Sequence, residues 1–269
     1  MQSDALRVAL IQMDIVPGDP DANFRHAAVK IGEALSDETK PDVIVLPEMW
    51  NTGYALERIG GIADRNGERT RRTFSDMAKK AGVHIIAGSV ADADSGRVRN
   101  TIYAFDREGR MHARYSKIHL FRLMDEHHYL SPGDEIGRLS IDGHAAGMMI
   151  CYDIRFPELA RNIALGGAKI LFVPAQWPNP RLHHWRTLLM ARAIENQMYV
   201  CAVNRVGSDG KSDFFGHSMI IDPWGEVLAE SGEAEDIVSA ALDLSKVDEV
   251  RSRIPVFSDR RPELYGRDG

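Results

Sequence analysis

Short apolar runs recur along the chain at residues 7–15, 43–46, 83–90, 100–105, 147–151, 170–173, 198–206, 217–221 and 237–242. Their lengths and polar flanks predict buried or half-buried strands. Between several of them, residues 23–35, 70–80, 157–165 and 183–195 carry apolar side chains at helical spacing, with Arg and Lys on the outer positions. These predict amphipathic helices. Asp106-Arg107-Glu108-Gly109 and Asp222-Pro223-Trp224-Gly225 stand between extended runs and predict tight turns. Two hairpins interrupting a strand–helix alternation exclude a plain doubly wound parallel sheet and predict a layered α/β fold with mixed sheets. No repeat, low-complexity segment or linker divides the chain, so residues 1–269 are expected to form one domain. The segment from about 245 onward, with Ile254-Pro255-Val256-Phe257 and Leu264-Tyr265, is too short for its own core. It is expected to dock on the body or on a second subunit.

Composition narrows the functional classes. The 269 residues are 44% hydrophobic and 27% charged with a net charge of -6, which excludes a disordered or collagen-like chain. No basic block supplies the footprint that phosphate-backbone binding needs, so no nucleic-acid partner is expected. Cys151 and Cys201 can build neither a disulfide framework nor a CxxC zinc site, which fits a reducing, cytoplasmic setting. The N-terminal stretch has no basic region, carries Asp4 early and turns polar again at Asp14, as a first strand does and a signal peptide does not. No window approaches the roughly 18 apolar residues of a membrane span, so no membrane partner is expected. A small molecule is the expected ligand.

Three chemically competent side chains close expected strands: Glu48 after the apolar Val43-Ile44-Val45-Leu46-Pro47, Lys117 after the extended run ending Arg114-Tyr115-Ser116, and Cys151 after the apolar Gly147-Met148-Met149-Ile150. Strand ends line the ligand crevice of layered α/β folds, so the three can converge. Cys151, placed before a helix that starts near Pro157, is expected to gain thiolate character from the helix dipole. Glu48 can take a thiol proton and later activate water, while Lys117 and the Tyr152 backbone N–H can hold an oxyanion. Such a set implies acyl transfer. Cys201, inside Tyr199-Val200-Cys201-Ala202-Val203, reads as a small buried hydrophobe.

Rival readings use the histidines. A Cys-His hydrolase would draw on His119 or His127. A metal site would draw on Glu126-His127-His128 or His183-His184, but adjacent histidines diverge on either a strand or a helix, and no metal is expected. A non-enzymatic scaffold binding a partner through the same pocket is the third rival, opposed by the completeness of the reactive set.

At these residues the chain resembles the nitrilase superfamily of carbon–nitrogen hydrolases. Leu46-Pro47-Glu48-Met49-Trp50-Asn51-Thr52-Gly53-Tyr54 is similar to its glutamate motif, Tyr115-Ser116-Lys117-Ile118-His119-Leu120-Phe121 to its lysine motif, and Ile150-Cys151-Tyr152-Asp153-Ile154-Arg155-Phe156-Pro157-Glu158-Leu159 to its nucleophile motif. The similarity continues through Ala191 to Gln197, Gly216-His217-Ser218, Pro223-Trp224-Gly225-Glu226 and Ile254-Pro255-Val256-Phe257. This resemblance implies an αββα sandwich without cofactor. In it Cys151 is the nucleophile, Glu48 the general base and Lys117 the oxyanion stabiliser, with a homodimer formed through helices near the nucleophile. It also nominates Glu126, which the sequence by itself would leave as a solvated loop acid. The chain looks most like the bacterial ω-amidases, which deamidate 2-oxoglutaramate or 2-oxosuccinamate. Related hydrolases of N-carbamoyl amino acids or other aliphatic amides are the runner-up, and nitrile hydrolysis ranks below both. A substrate with a distal carboxylate needs a cation, and Arg155 and Arg181 are the candidates, with Trp177 as a pocket wall. Arg155 could instead pair with Asp153 or Glu158.

Overall fold

The computed structural model describes residues 5–265, so Asp4 and the last four positions of the single expected domain lie outside the described residues. One sheet runs, edge to edge, through Asp236–Asp243, Ala5–Gln12, Val43–Val45, His84–Asp94, Arg97–Phe105 and Met111–Ser116, with Asp64–Arg65 paired beside His84–Asp94. The other runs through Val227–Glu230, Met219–Ile221, Tyr199–Asn204, Ile170–Ala175, His144–Met148 and Gly137–Ile141. Both are mixed. Ala5–Gln12, Val43–Val45 and His84–Asp94 are parallel, as are His144–Met148, Ile170–Ala175 and Tyr199–Asn204, while the flanking strands other than the parallel Asp64–Arg65 are antiparallel.

The two-residue period of a strand divides the core in two. Leu6, Val8, Leu10, Val43, Val45, Ile86 and Ile102 point at the second sheet and join Met148, Ile170, Phe172 and Val200 in one cluster. Their neighbours Ile11, Ile44, Ile85, Tyr103 and Phe105 point the other way, onto Phe24, Ala27 and Ile31 of helix Pro20–Leu35 and Phe74 and Ala78 of helix Glu68–Ala81. Helices Pro157–Leu165 and Leu182–Asn196 cover the second sheet with Leu159, Ile163, Leu189 and Ala193. The order of layers is helix, sheet, sheet, helix. This is the αββα sandwich that the resemblance implied.

Several expected boundaries shift. The runs expected to extend to Leu46 and Cys151 leave the ladder at Val45 and Met148, because Met49 and Cys151 take left-handed φ values of 43° and 45°. The expected strand 198–206 ends at Asn204, and Val206–Ser208 turns away to pair with Asp213–Phe215. Helix Ser245–Arg253, absent from the expectations, packs Val247 and Val250 into the body. Beyond it, Phe257 lies under the Arg161 and Arg251 guanidinium groups.

Candidate active site

Glu48, Lys117, Glu126 and Cys151 come from three connecting segments, 46–55, 117–136 and 149–156, and meet in one buried cluster. Glu48 sits in the turn after Val43–Val45. That turn is held from the next strand, where the Ser89 N–H donates to the Pro47 carbonyl at 3.1 Å and the Ser89 hydroxyl accepts from the Met49 N–H at 3.0 Å. Gly88 makes the approach possible: its φ is +57°, and a Cβ there would stand 2.1 Å from the Pro47 carbonyl oxygen. Lys117 follows Met111–Ser116. Its N–H donates to the Asn100 carbonyl at 2.9 Å, and its carbonyl accepts from the Gly133 N–H at 2.8 Å. A Cβ on Gly133 would meet the Ser116 carbonyl oxygen at 2.2 Å.

Cys151 starts the tight turn Cys151–Arg155 ahead of helix Pro157–Leu165. Asp153 ties this turn to the lysine segment. Its carboxylate accepts from the Ile150 N–H at 2.9 Å, the Tyr115 hydroxyl at 2.6 Å and the His119 N–H at 3.1 Å, and faces His119 Nδ1 at 2.8 Å. The side chain that anchors the turn of Cys151 thus also anchors the segment that carries Lys117.

The cations and anions of the site are fully buried. Lys117 Nζ lies 2.8 Å from Glu48 Oε1 and 2.7 Å from Glu126 Oε1, with all three side chains at 0% exposure. Charges so placed persist only when each is paired and hydrogen-bonded. Glu48 Oε1 also accepts from Asn100 Nδ2 at 2.8 Å, Glu48 Oε2 accepts from the Gln176 N–H at 2.8 Å, and the Glu48 carbonyl accepts from Gln176 Nε2 at 2.7 Å. Gln176 is held in turn by the buried Arg205, which also bonds Asp14. Glu126 Oε2 accepts from the Phe121 N–H at 2.8 Å. The Tyr54 hydroxyl reaches Glu48 Oε1 at 2.9 Å and Glu126 Oε1 at 2.7 Å.

Burial opposes the Lys117 ammonium, but the Glu126 and Glu48 carboxylates outweigh it and hold its pKa well above the usual lysine range. Lys117 is a fixed positive charge. For Cys151, burial and then the adjoining Glu48 carboxylate push the thiol well up, against the Lys117 charge. Burial and two nearby carboxylates thus oppose the thiolate that the helix terminus is expected to favour. A neutral thiol needs a base beside it, and Glu48 is that neighbour. Tyr152 is the second residue of the turn, where backbone N–H groups have no intrahelical acceptor.

A narrow cleft borders Cys151 and is lined by Phe121, Tyr152, Arg155, Trp177 and Arg181 among others. The Arg155 guanidinium stacks over Trp177 at 4.8 Å and lies 3.3 Å from His184 Nδ1. Trp177 Nε1 donates to the Arg181 carbonyl at 3.1 Å. Among the described residues neither arginine is paired with a carboxylate, since Asp153 spends its oxygens on Tyr115, His119 and Ile150. The pairing of Arg155 with Asp153 or Glu158 is not formed.

The structure brings the expected residues together and sets the rivals apart. Glu126 is buried on the short helix Glu126–Tyr129, contrary to the solvated loop that the sequence by itself favoured, because Lys117 and the Phe121 N–H satisfy both its oxygens. His119 is stacked at 3.6 Å on Phe156 with Nδ1 on Asp153, and does not line the Cys151 cavity. Cys201 is fully buried inside Tyr199–Asn204, where burial pushes its thiol up. Among the described residues no three His, Cys, Asp or Glu side chains cluster to hold a metal ion. Tyr54, Asn100 and Gln176 are site residues that sequence reasoning missed. Tyr54 lay within the quoted glutamate motif, whereas nothing local marked the other two.

The model of the carbon-nitrogen hydrolase family matches residues 7–252. The chain belongs to this family. It is a carbon–nitrogen hydrolase. It is 49% identical over 258 residues to the 2-oxoglutaramate amidase of Bacillus subtilis, covering 96% of this chain and 98% of that one. Among solved structures, the carbon-nitrogen hydrolase from Helicobacter pylori G27 superposes with a TM-score of 0.92 at 27% identity, covering 98% of both chains. A variant of the amidase from Nesterenkonia sp. AN1 superposes with a TM-score of 0.84 at 25% identity, covering 98% of this chain and 96% of that one. That structure carries the acetamide moiety of fluoroacetamide covalently added at its active-site cysteine. Among the described residues no helix of this hydrolase is long and apolar enough to cross a membrane.

Proposed function

We propose that this carbon–nitrogen hydrolase is a cysteine-dependent amidohydrolase that releases ammonia from a small amide bearing a distal carboxylate, such as 2-oxoglutaramate or 2-oxosuccinamate. The observation that carries the reading is the shared cavity, in which Arg155 and Arg181, free of carboxylate partners among the described residues, flank Cys151. Two guanidinium groups suit one carboxylate at the far end of a linear acyl chain. Trp177 gives that chain an apolar wall. The 49% identity to a 2-oxoglutaramate amidase points the same way.

Glu48 Oε2 takes the proton of the Cys151 thiol as sulfur attacks the amide carbon. Glu48 Oε1 is already occupied by Lys117, Asn100 and Tyr54, which leaves Oε2, with one N–H donor, for the proton. The oxyanion is held by the Lys117 ammonium and the Tyr152 N–H. Glu48 then passes its proton to the amide nitrogen, the C–N bond breaks, ammonia leaves, and a thioester remains on Cys151. Glu48 deprotonates a water that attacks the thioester carbon. Collapse of that adduct frees the acid and returns the proton to sulfur. Glu126 orients the Lys117 ammonium throughout.

The exposed Leu165 and Ile194, on the two helices that cover the second sheet beside Cys151, support a homodimer formed through those helices. Two free cysteines and no disulfide among the described residues support a cytoplasmic setting. The test is ammonia release from 2-oxoglutaramate, glutamine, an N-carbamoyl amino acid and a simple nitrile, beside Cys151→Ala. Preference for 2-oxoglutaramate, abolished in the variant, is the expected result. Preference for the carbamoyl compound would transfer the site to that substrate class.

A further inference from the structure

The Tyr54 hydroxyl stands 2.9 Å from Glu48 Oε1 and 2.7 Å from Glu126 Oε1. A phenol has one hydrogen and can donate to only one of these oxygens. The other oxygen then faces the phenol's lone pairs. If both carboxyl groups were ionised, that second contact would set an anionic oxygen against a lone pair in a site at 0% exposure. The contact becomes favourable if one carboxyl group brings its own proton.

Which group carries it follows from the donors already present. Glu48 Oε1 has Lys117 and Asn100 around it, and Glu48 Oε2 has the Gln176 N–H, all of which favour an anion. Glu126 has the Phe121 N–H on Oε2 and shares Lys117 on Oε1. We infer that Tyr54 is a positioning residue that accepts a hydrogen bond from a neutral Glu126 and donates one to an ionised Glu48, so that Glu48 rests as the anion able to take the thiol proton. The chain of donors is then Glu126 Oε1–H to Tyr54 Oη, and Tyr54 Oη–H to Glu48 Oε1. With Lys117 charged, the cluster is neutral as a whole, which a buried site favours.

Burial and then the Glu48 charge raise the pKa of Glu126 against the opposing pull of Lys117, in the same direction. Facing the Tyr54 hydroxyl are Glu48, Glu126, Lys117 and Cys151, and the cleft on its outer side carries Glu57, Arg58, Asp125, Asp209 and Lys211. The role rests on the reading of Glu48 as the base, but part of its test needs no substrate.

Infrared spectroscopy of the whole enzyme at neutral pH is expected to show a carboxylic-acid carbonyl band that Glu126→Gln abolishes and Tyr54→Phe moves to higher frequency. In kinetics, Tyr54→Phe is expected to lower kcat by about 10- to 100-fold with little change in KM. It should also raise the acid limb of the kcat/KM profile by about 0.5–1 pH unit, because Glu48 loses a donor. A merely structural tyrosine would lower activity without moving that limb. The absence of an acid band in the unmodified enzyme, or an unmoved acid limb in Tyr54→Phe, overturns the inference. Should every amide prove inert, the infrared result still decides where the proton sits.

Discussion

At the scale of residues, the site combines a thiol that burial disposes to stay protonated with a lysine held charged between Glu48 and Glu126. These opposite states suit a base-assisted nucleophile beside a permanent oxyanion donor. Glu48, Lys117 and Cys151 were legible because each follows an extended run, and a reactive side chain at a strand end is conspicuous. Glu126 was not legible from its own neighbourhood. Met124-Asp125-Glu126-His127-His128 has no apolar pattern, and the burial of Glu126 depends on the segment folding back to set it against Lys117. Tyr54, Asn100 and Gln176 were missed for the same reason, since their partners are set by tertiary contact. Substrate selectivity is expected to depend on the arginines. Arg155→Leu and Arg181→Leu, measured separately by steady-state ammonia release, should each raise KM for 2-oxoglutaramate by about 10- to 100-fold, as loss of a charge-assisted hydrogen bond does. A neutral aliphatic amide should be turned over as before. Equal losses on both substrates would remove the arginines from carboxylate binding.

At the scale of elements, the apolar runs 43–46 and 83–90 identified the central strands, because one face meets the other sheet and the opposite face meets helices, so both faces are apolar. Gly137–Ile141 had the signal of an edge strand, with burial alternating along Gly137-Arg138-Leu139-Ser140-Ile141, and was overlooked for want of a long apolar run. Helix Ser245–Arg253 buries only Val247 and Val250, too few apolar positions for a clear helical period. The turn after Gly137–Ile141 is fastened to the first sheet through charge: Asp142 pairs with Arg107 at 2.7 Å and with His84 at 2.8 Å. The Arg107 hydrogen bond, helped by His84 against burial, lowers the Asp142 carboxyl from 3.8 to about 2. A lowered folded-state pKa stabilises the protein above pH 3.8, and the contribution is lost as pH falls through about 2. Asp142→Asn is a fitting probe because asparagine tolerates the left-handed φ of 47° at this position. Denaturant titration should find the variant less stable by about 0.5–1 kcal/mol at neutral pH, a small figure because the side chain is 43% exposed. The difference should close below pH 2. A difference independent of pH would assign the effect to something other than the ion pairs.

At the scale of the whole molecule, the four reactive groups reach the site from three connections between the strands of the two sheets. Separate elements fix each group, so their convergence depends on the packing of the sandwich as a whole. Met49, Asp125 and Cys151 all hold left-handed φ values between 43° and 57°, as residues at functional turns often do when the surrounding structure determines them. The layered architecture was legible from strand–helix order and two hairpins. The pairing order of the strands was not, since neighbours such as Asp236–Asp243 and Ala5–Gln12 are joined only by the fold. Sedimentation should find a dimer, and Leu165→Glu should shift it toward monomer by placing charge on the proposed interface. A dimer indifferent to Leu165→Glu would place the contact elsewhere.

The central claim is that amide hydrolysis proceeds through a thioester on Cys151. Acid quenching of the enzyme during turnover of 2-oxoglutaramate, followed by peptide mass spectrometry, tests it most directly. The expected result is an acyl adduct, smaller than intact substrate by one ammonia, on the peptide that contains Cys151. Ammonia release with the adduct on Cys201, or undiminished ammonia release by Cys151→Ala, would contradict it.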